Sequence, residues 1–181
     1  MTDRAPLDDY GELTAPTTLT IQRLLPGPIE TVWAYLTDSK KRGEWFASGP
    51  MEPRVGGKAT LRFKHSDLSP HKAPPPEKFK EMDAKGHEWS GTVTAYDPPR
   101  RLAFTLESSS EVVFELAPQG DKVLLTLTHR KLASRDEMVG VSGGWHTHLA
   151  VLVDKAHGRV PPAFWDLWRT IDGQYAKRIA R

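Results

Sequence analysis

The sequence predicts an α+β fold in which a curved antiparallel β-sheet wraps around a long C-terminal helix. Three observations carry this reading. Six segments alternate apolar and polar residues with period two, the mark of strands with one buried face. All but one of the links between the last five segments are short turns, which makes sequence neighbours antiparallel partners. Helical periodicity is confined to a stretch after the first strand and to the C-terminal end, so helices and strands are segregated.

Taken in order, residues 1–16 read as a flexible polar tail, and 17–181 as one domain whose final segment, 158–181, adds a further helix. Thr18 to Leu24 alternate as the first strand, which stops at Pro26-Gly27-Pro28. Pro28 suits a helix start, because its fixed φ is helical and its missing amide would lack a partner there. Ile29, Val32, Trp33 and Leu36 then share one helical face, and Asp38 and Ser39 offer caps for a second short helix that Gly43 breaks. Ala59, Leu61, Phe63 and His65 form one face of the next strand. Residues 66–85 hold four prolines and many charges and read as a loop, a length that in a compact domain often serves as a lid. Trp89, Gly91 and Val93 line up on the following strand, and Asp97-Pro98-Pro99-Arg100 turns the chain. Residues 102–106, 112–116 and 123–129 are three more strands, with turns at Ser108-Ser109-Ser110 and Pro118-Gln119-Gly120-Asp121. Ser134 and Glu137 have capping-box spacing for one helical turn. Ser142 is expected to cap the main helix, whose stripe is Trp145, Leu149, Leu152 and Ala156 and which ends at Gly158. The last helix follows Pro161-Pro162 and carries Phe164, Leu167, Trp168, Ile171 and Tyr175 on one side.

Composition narrows the function class. The 181 residues are 38% hydrophobic and 27% charged, a globular balance, and no run reaches the roughly 20 apolar residues of a membrane span. The N-terminus lacks the apolar core of a secretion signal, and cysteine is absent, which fits a cytoplasmic setting. The 25 basic and 23 acidic residues are intermixed, so no basic face for nucleic acid is expected.

Six strands spaced about 4.8 Å apart make a sheet about 29 Å wide, whereas a helix with its side chains is about 10–12 Å across. Such a sheet must curl around the helix, and large inward side chains then hold the layers apart over a cleft of the kind that ligands use. The expected lining is Trp45 and Phe46 behind the short helices, and Leu61, Phe63, Trp89, Phe104, Phe114, Leu125 and His129 from the strands. Trp145, Leu149 and Leu152 complete it from the long helix. The same residues also read as plain core, and the pattern alone does not separate the two.

Several phrases then carry a resemblance. Pro28-Ile29-Glu30-Thr31-Val32-Trp33-Ala34-Tyr35-Leu36-Thr37, the following Trp45-Phe46, and Gly91-Thr92-Val93 leading to Asp97-Pro98-Pro99-Arg100-Arg101-Leu102 are three of them. The strand 123–129 and Gly143-Gly144-Trp145-His146-Thr147-His148-Leu149 complete the set. Together, over residues 17–157, they resemble the activator-of-heat-shock-protein-90-ATPase homologue family of the START-like (SRPBCC, Bet v 1-like) helix-grip superfamily. The resemblance implies a cavity between sheet and long helix that binds a hydrophobic small molecule such as a lipid, polyketide or aromatic metabolite. A cyclase- or hydrolase-type enzyme using the same cavity is the alternative it implies. Co-chaperone activity is the weaker expectation, because the eukaryotic activators join such a domain to a separate N-terminal one.

No catalytic constellation accompanies these phrases. His146 and His148 are two apart and point about 200° from each other on a helix, so they do not share a metal and read as surface or capping histidines. His65, His71, His87 and His157 are scattered. His129 shares a strand face with Leu125 and Leu127, where it either orients a ligand or moves a proton, or else is satisfied by a backbone carbonyl. Gly56-Gly57 and Gly143-Gly144 lack the Lys-Ser or Lys-Thr of a phosphate loop. No cofactor and no metal are expected, membrane insertion is not expected, and self-association into a homodimer stays open. Trp165 and Trp168 read either as packing against the sheet or as an exposed anchor for a protein partner.

Overall fold

A computed structural model describes residues 10–106 and 109–179. Seven strands form one antiparallel sheet: β1 (Glu12–Ala15), β2 (Thr18–Pro26), β3 (Lys58–Phe63), β4 (His87–Asp97), β5 (Arg101–Thr105), β6 (Glu111–Gln119) and β7 (Lys122–Arg130). Their spatial order is β1-β2-β7-β6-β5-β4-β3. The chain leaves β2, crosses through the short helices α1 (Ile29–Thr37) and α2 (Ser39–Gly43), and re-enters at the far edge as β3. It then winds back strand by strand until β7 pairs with β2, where Ile21 faces Leu127 and Leu19 faces His129. The inner face is the alternating set anticipated from sequence, with Leu19, Ile21, Leu61, Val93, Phe104, Phe114, Leu125 and Leu127 all buried. The long helix α4 (Arg135–Ala156) lies over β2, and α5 (Phe164–Arg178) packs on α4.

Four expectations change. Residues 12–15, expected in the tail, form edge strand β1 against β2. All four are exposed, so the strand rests on backbone pairing and the Thr14–Thr20 hydroxyl contact and leaves no hydrophobic alternation to detect. Residues 1–9 of that tail, and Ser108 of the predicted turn, lie outside the described residues. The third strand ends at Phe63 rather than at His65, and the segment 66–85 is no plain loop. It holds 3-10 turns at His65–Leu68 and Glu77–Phe79 and the helix α3 (Lys80–Lys85). Asp83 pins this segment by accepting from the Ser66 amide at 3.1 Å and from the Ser66 hydroxyl. Finally, the capping box at Ser134 opens the whole long helix. Ser134 Oγ accepts from the Glu137 amide at 3.1 Å, so Ser142 and Gly143-Gly144 lie inside α4 rather than before it. Gly143 is tolerated there because α5 needs the room. A Cβ on Gly143 would come within 3.3 Å of the Asp172 Cα.

The turn after α1 is closed by a buried cation. Arg42 is 2% exposed and donates to the carbonyls of Leu36 (3.4 Å), Thr37 (3.3 Å), Ala47 (3.0 Å) and Gly49. Leu36 and Thr37 end α1, where carbonyls lack helical partners. One side chain thus sets the position of Trp45 and Phe46. Burial lowers its pKa only to about 10, so the guanidinium stays charged at neutral pH. Replacing Arg42 by Met should therefore cost about 3 kcal/mol in urea unfolding, since several buried carbonyls lose their donor. A loss below about 1 kcal/mol would show that water satisfies them instead.

Candidate ligand-binding cavity

The sheet's curl is filled unevenly. Toward β5, β6 and β7, Trp45 packs edge-on to Phe114 and donates its indole N–H to the Tyr35 carbonyl at 2.8 Å. Trp45, Leu61, Phe104, Phe114, Leu125, Leu149 and Leu152, all expected to line a cavity, are core residues away from it. They fill the interior because α1 and α2 bring Trp45 under the sheet, a long-range placement that strand parity does not encode. Phe46, Phe63, Trp89, His129 and Trp145 do line a cavity of about 350 Å³.

The cavity lies between the sheet, α4 and α5. Its floor is Phe63, Trp89 and His129 from β3, β4 and β7. Gly140, Val141, Gly144, Trp145 and His148 of α4 form one wall, and Phe164, Trp165 and Trp168 of α5 another. Phe79 and Met82, from the segment expected to be a loop, close a third side with His65 and His87. Phe79 stacks on Trp165 with ring centroids 5.5 Å apart, and Ser69 Oγ donates to the Pro161 carbonyl at 2.7 Å, which fastens this flap to α5. Trp165 is buried, so the last helix is packing rather than a free anchor on that face. Half-buried residues of the lining, among them Phe79, Met82, His87, Trp89, Val141 and Gly144, together with exposed Gly140, mark the mouth. A Cβ on Gly140 or Gly144 would meet nothing within 4 Å, so these two glycines leave space that side chains would fill.

Phe46 is the hinge of the aromatic wall. It stacks on Trp145 at 4.7 Å and meets Phe63 edge-on at 4.9 Å. The histidines are the polar part. His129 accepts the Trp145 indole N–H at its Nδ1, 2.9 Å away, instead of using a backbone carbonyl. His148 Nδ1 lies 2.8 Å from the Trp45 carbonyl, and its ring faces that of His65 at 5.2 Å. His146 points the other way, to the Tyr175 hydroxyl at 2.9 Å, which also accepts from the Gly11 amide. The two helix histidines do diverge, as their spacing required. They are buried, however, and not at the surface, because α4 is covered by α5 on one side and by the sheet on the other.

Burial dominates the acid–base behaviour of all four. It pulls His129 down to about 4, and His65 to about 4 with His87 adding to the effect and Asp83 opposing it. His146 falls to about 3, with Arg23 and Arg178 contributing, and His148 to about 3, with His65 contributing. His65, His129 and His148 in the cavity wall are therefore uncharged at neutral pH. Sequence could flag His129 by parity, but His65, His87 and His148 join it only through the packing of separate elements.

Against this geometry, comparisons with known proteins agree. The family model described as Activator of Hsp90 ATPase homolog 1-like protein matches residues 26–156. A Bordetella parapertussis protein solved by solution NMR is 38% identical, with a TM-score of 0.80 over 98% of this chain and 95% of that one. CalU16 from Micromonospora echinospora is 24% identical, with a TM-score of 0.66 over 95% and 96% of the two chains. DynU16, a protein in the dynemicin biosynthetic locus, is 18% identical with a TM-score of 0.59, over 81% of this chain and 49% of its own. Among curated proteins, none matches the sequence.

The histidines make a pH prediction. Their pKa values are near 6.5 when unfolded and 3–4 when folded. Below pH 6.5 the unfolded chain therefore binds more protons than the folded one. Stability is full above that pH and declines as pH falls toward 4, by up to about 1.4 kcal/mol per pH unit for each site. Urea midpoints should drop clearly between about pH 7 and about pH 5, and His146→Asn should flatten the slope; a flat wild-type profile would contradict this burial.

Proposed function

This chain belongs to the Activator of Hsp90 ATPase homolog 1-like family, and from that premise we propose that it binds a hydrophobic small molecule in the cavity between its sheet and α4. The observation that carries the reading is the cavity itself. Its volume of about 350 Å³ lies within the usual range for small-molecule sites, and its lining is almost wholly aromatic and aliphatic. The glycines at 140 and 144 support it further, since a helix selected only for packing would gain about 1 kcal/mol from alanine at each open position. DynU16, which shares the fold, lies in the dynemicin biosynthetic locus, and a small-molecule ligand is in keeping with such a setting.

Binding is favoured over turnover by the state of His129. The imidazole expected as a proton carrier is hydrogen-bonded to an indole rather than to a carboxylate, and burial holds it neutral. Among the described residues, no helix is long and apolar enough to cross a membrane.

A neutral aromatic ligand at about a hundredfold its Kd should stabilise the protein by about 2.7 kcal/mol, which raises Tm by several degrees. Replacing Gly144 by Leu should fill the cavity, leave the unliganded Tm unchanged or higher, and abolish that shift. A thermal-shift screen of the pair, followed by native mass spectrometry, provides the check. Retention of the full ligand-induced shift in Gly144→Leu would place the binding site elsewhere.

A further inference from the structure

We propose that the cavity selects an uncharged, planar aromatic molecule bearing both a hydrogen-bond acceptor and a hydrogen-bond donor, such as a hydroxylated aromatic ketone, because two histidines in its wall are locked in opposite tautomers. This rests on the cavity being the binding site.

The lock at His129 follows from what an indole can do. Trp145 Nε1–H only donates, so the His129 Nδ1 it reaches at 2.9 Å must hold a lone pair. The one proton of the neutral ring then sits on Nε2. That nitrogen is buried without a partner, in a residue that is 2% exposed and lines the cavity. His148 is locked the other way. A carbonyl only accepts, so the Nδ1 that lies 2.8 Å from the Trp45 oxygen must carry the proton. Its Nε2 is left as a lone-pair acceptor without a hydrogen bond to the described residues. A second buried donor, Trp165 Nε1, also lacks a partner and belongs to the α5 wall.

A buried donor without an acceptor costs free energy, which a ligand oxygen recovers on binding. Two residues of the lining, His129 and Trp165, thus hold unpaired donors, and a third, His148, holds an acceptor. Charge is disfavoured in either sign. No Lys or Arg among the described residues lines the cavity, so an anion finds no counter-charge. A cation would meet unpaired N–H donors in the lining, and the one carboxylate there, Glu137, already accepts from the Ala133 amide. The aromatic walls favour a flat ring system, which can stack against Phe46, Trp145 and Trp165.

The full-length protein can be titrated calorimetrically with naphthalene, naphthol, acetonaphthone and a hydroxyacetonaphthone whose hydroxyl and acetyl groups sit on different rings. Naphthol and acetonaphthone should each bind roughly 3–10-fold more tightly than naphthalene, and hydroxyacetonaphthone roughly 10–100-fold more tightly. Naphthoate and naphthylmethylammonium should bind more weakly than acetonaphthone. Equal affinity across the four neutral compounds would overturn the selectivity while leaving apolar binding intact, as when ordered water serves both histidines. No binding by any of them would overturn both readings. Nitrogen-15 NMR of the unliganded protein tests the locks directly. His129 should be protonated at Nε2 and His148 at Nδ1, and the reverse at either ring would overturn the assignment. Trp145→Phe should turn His129 into a tautomer mixture and remove most of the advantage of hydroxyacetonaphthone over naphthol, read as the ratio of the two affinities within that variant. If that variant does not fold, the wild-type NMR spectrum and ligand series decide alone.

Discussion

One helix has to cover the inner face of seven curled strands, and it is too slim to do so. α4 lies over β2, where Leu19 and Ile21 give it a close apolar bed. Over β5 and β6 the gap is filled from the side by Trp45, which α1 and α2 deliver and Arg42 holds in place. Toward β3 and β4 no such plug arrives. The interior stays open there, and the chain closes it with the flap around Phe79 and Met82 and with α5. Packing to ordinary interior density wherever side chains can reach, and a void where they cannot, follows from the shape mismatch alone.

The polar groups of the void are organised by tryptophans. Trp145 presents its ring to the cavity and its N–H to His129. Trp45 sits in the core, yet its backbone carbonyl anchors His148. Neutral imidazoles suit an apolar space, since a charged group there would bear a large desolvation penalty. They also keep fixed hydrogen-bonding directions in a wall that is otherwise made of rings. The other histidine of α4, His146, has a different task on the far face, where Tyr175 and Gly11 tie α5 and the segment before β1 to the long helix.

Much of the fold was legible in the sequence, because alternation and helical periodicity are local. Six of the seven strands, both short helices and the cap at Ser134 could be read in that way. β1 could not, as its four exposed residues carry no pattern and its pairing depends on β2 being present. Nor could the full length of α4, since three glycines and Ser142 look like a break until α5 and the cavity account for them.

Strand parity assigned Phe63, Trp89 and His129 to the inner face, and an order of elements shared with a known family foretold a space beneath them. Only the tertiary structure separated wall from core. Phe104 and Phe114 have the same parity as Phe63, but Trp45 packs edge-on to Phe114, whereas the rings around Phe63, those of Phe46, His65 and His148, themselves border the cavity. Whether an inward side chain meets protein or empty space is decided by residues far away in the chain, and a local pattern holds no record of that distance.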